Sequence, residues 1–163
     1  MRPFLLRIER PCLQSLHATT GQRAVAIVAQ GLDHAVAGDW KAITLAESIA
    51  IRDALLAFRD GAEVVSSTLA LGLGADGALA RIRVGIDAVC PDVEMARIAS
   101  ESILFLILGQ VWHEQQRMQA DSLGVVSPAV AADPADLNLE SDSLGFSIEL
   151  ILDGLEKKLA AAR

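Results

Sequence analysis

The stretch Asp76-Gly-Ala-Leu-Ala-Arg-Ile-Arg-Val-Gly-Ile-Asp-Ala-Val89 decides the fold class, because it reads two ways. Asp76-Gly77 is a hairpin turn signal, and Ile82, Val84, Ile86 and Ala88 alternate as a half-buried strand would. Asp76 is equally suited to cap a helix, and Leu79, Ile82, Ile86 and Val89 recur at helical spacing. Alternation alone leans to the hairpin; with the cap included, the local signals are close to even.

On both sides of this stretch the pattern is helical. Residues 22–36 carry Val25, Val28, Ala29 and Leu32 at helical spacing, and Gly38-Asp39 then supplies a break and an N-cap. A second helix is expected over 40–59, with Ile43, Leu45, Ile49, Ala50, Leu55, Leu56 and Phe58 as its inward stripe, ending at the bend Asp60-Gly61. A shorter element, 62–71, follows. Beyond the ambiguous stretch, Pro91 suits the first turn of a helix, and Asp92 and Glu94 place negative charge at the positive end of its dipole. That helix is expected to reach about residue 120. Residues 122–134 hold Pro128 and Pro134 among small residues and read as a connection. The last helix is expected over 141–161, with Phe146, Ile148, Ile151, Leu152, Leu155 and Leu159 on one broad face and Lys157, Lys158 and Arg163 at its negative end.

Composition agrees with packed helices. The 163 residues fit one domain able to close a core without disulfides or a structural metal. The apolar fraction is 52% but only 4% is aromatic, with no Tyr, so the core must be built from Leu, Ile, Val and Ala. Two cysteines, Cys12 and Cys90, make no disulfide framework, and the opening residues lack a secretory pattern, which leads to a cytoplasmic assignment. The longest wholly apolar run, Ile103 to Leu108, falls far short of the roughly 18 residues a membrane span needs, so no membrane partner is expected. The net charge of −7 gives no general attraction for phosphate backbones. The exception is the segment 1–23, where Arg2, Arg7, Arg10 and Arg23 against Glu9 leave +3.

Three motifs carry a resemblance. Arg52-Asp-Ala-Leu-Leu-Ala-Phe-Arg-Asp-Gly-Ala-Glu-Val-Val-Ser-Ser-Thr68, Leu108-Gly-Gln-Val-Trp-His-Glu-Gln-Gln116 and Leu144-Gly-Phe-Ser-Ile-Glu-Leu-Ile-Leu-Asp-Gly-Leu-Glu156 resemble, in order, the pocket helix and bend, the dimer-forming helix and the final helix of the tetracycline-repressor C-terminal domain. The resemblance implies an all-α helical bundle that dimerises through its last long helices, and it makes 78–89 a helix, with the strand as runner-up. It also divides the chain into 1–36, a degenerate or truncated remnant of the DNA-binding head and linker helix, and 37–163, a ligand-binding and dimerisation domain. Leu6-Arg-Ile-Glu-Arg-Pro-Cys-Leu13 resembles the lead into a recognition helix, but Gln14-Ser15-Leu16-His17 replaces the family's signature, and the space for the two supporting helices is missing. Specific DNA binding by the chain alone is therefore not expected, since an unsupported helix of this length is marginal and cannot be oriented in the groove.

The same resemblance places the effector site at Glu47, Ile51, Val65, Thr68, Arg81 and His113. Of these only Thr68 matches the tetracycline-binding members, and Ile51 and Val65 offer no hard donor for magnesium, so no tetracycline–magnesium chelate and no other cofactor is expected. What it implies instead is an apolar pocket for a hydrophobic small-molecule effector, with Glu47, Thr68, Arg81 and His113 as polar anchors. The plain alternative for Glu47 and Arg81 is surface charge. His113 beside Glu114 lacks the second histidine of a His-Glu-x-x-His helix and any nucleophile, so it reads as a rim or interface residue rather than an enzyme's. The expected function is a homodimeric, small-molecule-sensing transcriptional regulator, not an enzyme; the alternative is a headless interaction protein that pairs with another, full-length regulator.

Overall fold

The computed structural model describes residues 39–72, 76–124 and 134–162. The expected helix 22–36, the head remnant at 1–36 and most of the connection 122–134 lie outside these residues. The described chain forms five helices in order: α1 (Trp40–Leu56), α2 (Gly61–Ala70), α3 (Asp76–Asp87), α4 (Val93–Ser122) and α5 (Pro134–Ala161). Among the described residues there is no strand.

The stretch that reads two ways is therefore helical. Ala78, Ile82 and Ile86 are fully buried, whereas Val84 is 61% exposed. A strand would have pointed Val84 to the same side as Ile82 and Ile86; a four-residue period sends it out. The inward face of α3 also carries Gly85, whose bare Cα lets α1 approach so closely that an added Cβ would collide with both the Trp40 carbonyl oxygen and Thr44 Oγ1.

That crossing explains a departure on α1. Its most buried positions include Thr44 and Ser48 rather than Ile43, Leu45 or Ile49, and Ile49 is exposed. Small side chains fit where the two backbones nearly touch, and the hydroxyls are satisfied inside the helix: Thr44 Oγ1 donates to the Trp40 carbonyl and Ser48 Oγ to the Thr44 carbonyl. Ile51, Ala54 and Leu55 then continue the buried face. The helix stops at Leu56, earlier than residue 59, and Gly61 opens α2 immediately against the Leu55 carbonyl, where a Cβ would not fit.

Helix α4 is the central element and packs against α1, α2, α3 and α5. It starts one residue after Asp92, which serves as its N-cap: the carboxylate accepts from the Glu94 and Met95 backbone N–H groups at 3.0 and 3.1 Å. Pro91 thus lies just outside the helix rather than in its first turn. Buried Ala96, Ser100, Ile103, Ile107, Val111 and Gln115 mark the inward side. By length and composition α4 could cross a membrane, with mean hydropathy 1.3 over eighteen residues, although no apolar run of that length exists; much of that apolar content lies in the core shared with α1, α2 and α3.

The last helix begins at Pro134, seven residues before the expected start, with proline at the first helical position, where its missing N–H is not needed. Its broad apolar face divides in two. Leu144, Ile148, Leu152 and Leu155 enter the core, while Phe146 and Leu150 point to solvent.

Candidate effector groove and association face

Three sets of ion pairs tie α1 to its neighbours α3, α4 and α5. On one side Arg81 Nε of α3 donates to Glu47 Oε2 at 2.6 Å, with the two side chains only 9% and 20% exposed. The pair is thus a largely buried link between α1 and α3 and not surface charge. On another side Arg52 reaches Glu114 of α4 at 2.9 Å, and Lys41 bridges to Asp153 and Glu156 of α5 at 2.8 and 2.6 Å. Hydrogen bonding from Lys41 holds the Asp153 carboxyl below its usual range, and the same contacts hold Lys41 above the usual lysine value.

Of the residues assigned by resemblance, Ile51, Val65 and Thr68 are fully buried. Thr68 Oγ1 donates to the Val64 and Val65 carbonyls of its own helix, at 3.0 and 2.8 Å. Glu47 and Arg81 meet each other. His113 is exposed on α4, its ring edge-on to Trp112 with centroids 5.5 Å apart. It borders a groove of about 440 Å³ beside Arg52, Glu114 and Ser143.

A larger groove, about 620 Å³, opens between α2, α3 and α4. Its floor is Leu104 and Leu108 of α4, its walls are Leu69 and Ala70 of α2 with Leu79 of α3, and its rim is Phe105, Gly109 and Trp112 of α4. None of the six residues inferred by resemblance lines it. Among the described residues of the lining the one ionisable side chain, Glu101, is engaged by Arg97 at 2.6 Å, and Arg97 also holds Glu94. An uncharged apolar molecule matches this lining, and the volume lies in the range of small-molecule sites. In the sequence the groove was hidden because its residues come from three helices and are individually ordinary core types. No group of three His, Cys, Asp or Glu residues that could hold a metal occurs among the described residues.

The rim continues as a stripe. Ile98, Ser102, Phe105, Gly109, Trp112 and Gln116 follow one another at three- and four-residue steps, and all six are exposed. None is charged, although 21% of the chain is. Small residues at 102 and 109 leave room for another backbone to come close. Helix α5 presents a comparable uncharged set in Ser143, Phe146, Leu150 and Gly154, all exposed.

The sequence matches no protein-family model and no curated protein. In three dimensions the chain is similar to the crystal structure of Mycobacterium smegmatis BioQ, with TM-score 0.70 and 24% identity over 85% of this chain and 72% of that one. It is also similar to BioQ with its natural double-stranded DNA operator, with TM-score 0.66 and 22% identity over 86% of this chain and 72% of that one. BioQ is a regulator of the tetracycline-repressor family, and the likeness shows that this chain has the same all-α fold.

Proposed function

We propose that this chain is a homodimeric, small-molecule-sensing regulatory domain of the tetracycline-repressor type, cytoplasmic and without catalytic activity. The observation that carries the reading is the uncharged stripe on α4. Two copies of a molecule with net charge −7 repel one another unless the meeting faces are neutral. Ile98, Phe105, Trp112, Phe146 and Leu150 are between 46% and 62% exposed. At about 150–250 Å² per large aromatic side chain and less for the aliphatic ones, they leave roughly 500 Å² of apolar surface in water per chain. That is near the upper end for a monomer, and two such faces together supply on the order of 1,000 Å², about the least a specific interface buries. The two-fold arrangement, in which the same stripe serves both copies, suits a self-complementary neutral face.

For the effector the groove offers the room, and the inner set Glu47, Ile51, Val65, Thr68, Arg81 and His113 is the competing location. Ala70→Trp fills the groove without touching that set, so loss of ligand binding in this variant alone assigns the site to the groove. Operator binding is the property of BioQ named by its complex; the acidic balance of this chain argues against tight duplex binding by these residues alone. Sedimentation equilibrium at micromolar concentration tests the reading: a dimer is expected, and a monomer sinks it. Fluorescence anisotropy with duplex DNA at 0.15 M salt should show no sequence-specific complex.

A further inference from the structure

The same three residues, Phe105, Gly109 and Trp112, form both the rim of the 620 Å³ groove and the middle of the neutral α4 stripe. We propose that the groove is closed by a second copy of this chain, so that an uncharged apolar molecule bound in it is held at the seam between two copies and tightens their association. This rests on the dimer reading above.

The floor, Leu104 and Leu108, and the walls on α2 and α3 belong to one copy and lie to the side of the stripe. A partner seated on the stripe therefore covers the rim without filling the interior. Alone, the groove is open along that rim, and an apolar occupant keeps part of its surface in water, whereas small-molecule sites enclose most of their ligand. The partner supplies the missing cover. The partner's own requirement is met at the same time: Phe105 and Trp112, 60% and 46% exposed in the single chain, gain an apolar neighbour on their groove side when the site is filled.

The chemistry of the occupant follows from the lining. Glu101 already has Arg97 as its partner, so an anionic ligand would meet a carboxylate with no cation left over from that pair, and a cationic one would compete with Arg97. An uncharged apolar or weakly polar molecule meets neither cost, and Ser66, at the edge of the lining, provides a hydroxyl for one polar atom. Because binding and association share residues, the coupling must be reciprocal: whatever factor the ligand adds to dimer affinity, dimerisation adds to ligand affinity.

The probe is N-phenyl-1-naphthylamine, a neutral fluorophore that brightens in apolar sites. Sedimentation across a dilution series, with and without saturating probe, should show dimer dissociation weakened by about fivefold or more when the probe is present, the lower end of usual coupling factors. Ile98→Glu places a charge in the stripe but outside the groove and on an exposed position, so the fold is preserved. It should give a monomer that binds the probe correspondingly more weakly. Ala70→Trp should remain dimeric and lose the probe. Equal probe affinity in dimeric wild type and monomeric Ile98→Glu overturns the proposal while leaving the dimer intact. Weaker association on adding probe, or absence of probe binding to the dimer, overturns it as well. A wild-type chain that sediments as a monomer fails the dimer reading first, and is seen before any probe is added.

Discussion

Gln115 is buried on α4 where the end of α1 meets the start of α2, and its amide serves both. Nε2 donates to the Phe58 and Leu55 carbonyls at 2.8 and 3.2 Å, and Oε1 accepts from the Ala62 backbone N–H at 3.4 Å. Carbonyls ending one helix and an amide opening the next are groups a helix cannot satisfy internally. Replacement by leucine keeps the volume and removes all three contacts, so Gln115→Leu should lower unfolding stability by roughly 1–3 kcal/mol in urea denaturation. Gly85 gives a second test at this scale. Gly85→Ala gains helix propensity but drives a methyl into the α1 backbone, and a net loss of about 1–2 kcal/mol is expected from overpacking. Gly145→Ala, where nothing lies within 4 Å, should instead gain roughly 0.5–1 kcal/mol, and urea melts of the two variants should shift in opposite directions.

Among elements, α1 is pinned on three sides by ion pairs of unequal worth. The Glu47–Arg81 and Arg52–Glu114 pairs are mostly shielded from water, whereas the carboxylates that hold Lys41 to α5 are more than half exposed and contribute little at neutral pH. The exposed cluster nevertheless sets a pH dependence. Asp153 has a folded pKa depressed below its ordinary 3.8 by the Lys41 hydrogen bond, so its contribution is complete above that value and disappears as pH falls through the lower folded one. Lys41 is the converse: raised above its ordinary value, it contributes below 10.5 and loses that contribution only in stronger alkali. The melting temperature of Lys41→Met should thus lie below wild type by a constant margin from about pH 5 to 9, and the two curves should converge below about pH 4. A margin unchanged at pH 2.5 would contradict the pairing of α1 with α5.

At the scale of the molecule, the proposed dimer on the α4 stripe would couple folding to concentration. Association stabilises the folded chain by mass action, so the wild-type melting temperature should rise as protein concentration is raised a hundredfold, and that of Ile98→Glu should stay flat. A concentration-independent wild type would mean the stripe stays in water. The stripe also accounts for the long apolar α4 in a molecule of helical layers: one side fills the core and the other stays exposed, which spreads apolar residues around the helix instead of confining them to one face.

What the residues determine on their own is local. Pro91, Asp92 and Glu94 announced the start of α4, although Asp92 rather than Pro91 caps it, and the recurrence of Leu79, Ile82, Ile86 and Val89 is compatible with α3, whereas Pro134, read as part of a connection, opens α5. Three motifs spaced along the chain were enough to suggest the all-α architecture that the structure has. Which side of each helix faces inward was another matter, since burial depends on what lies opposite. Thr44 and Ser48 are buried while Ile49 is exposed, and at Thr44 the reason is that Gly85 brings α3 too close for a large side chain. Phe146 looked like part of one broad face with Ile148, and tertiary packing sent it outward while Leu144 went in. The groove and the stripe likewise exist only once α2, α3 and α4 are assembled, because no single helix carries a cavity, and exposure is a property of the neighbours a residue acquires rather than of its place in the chain.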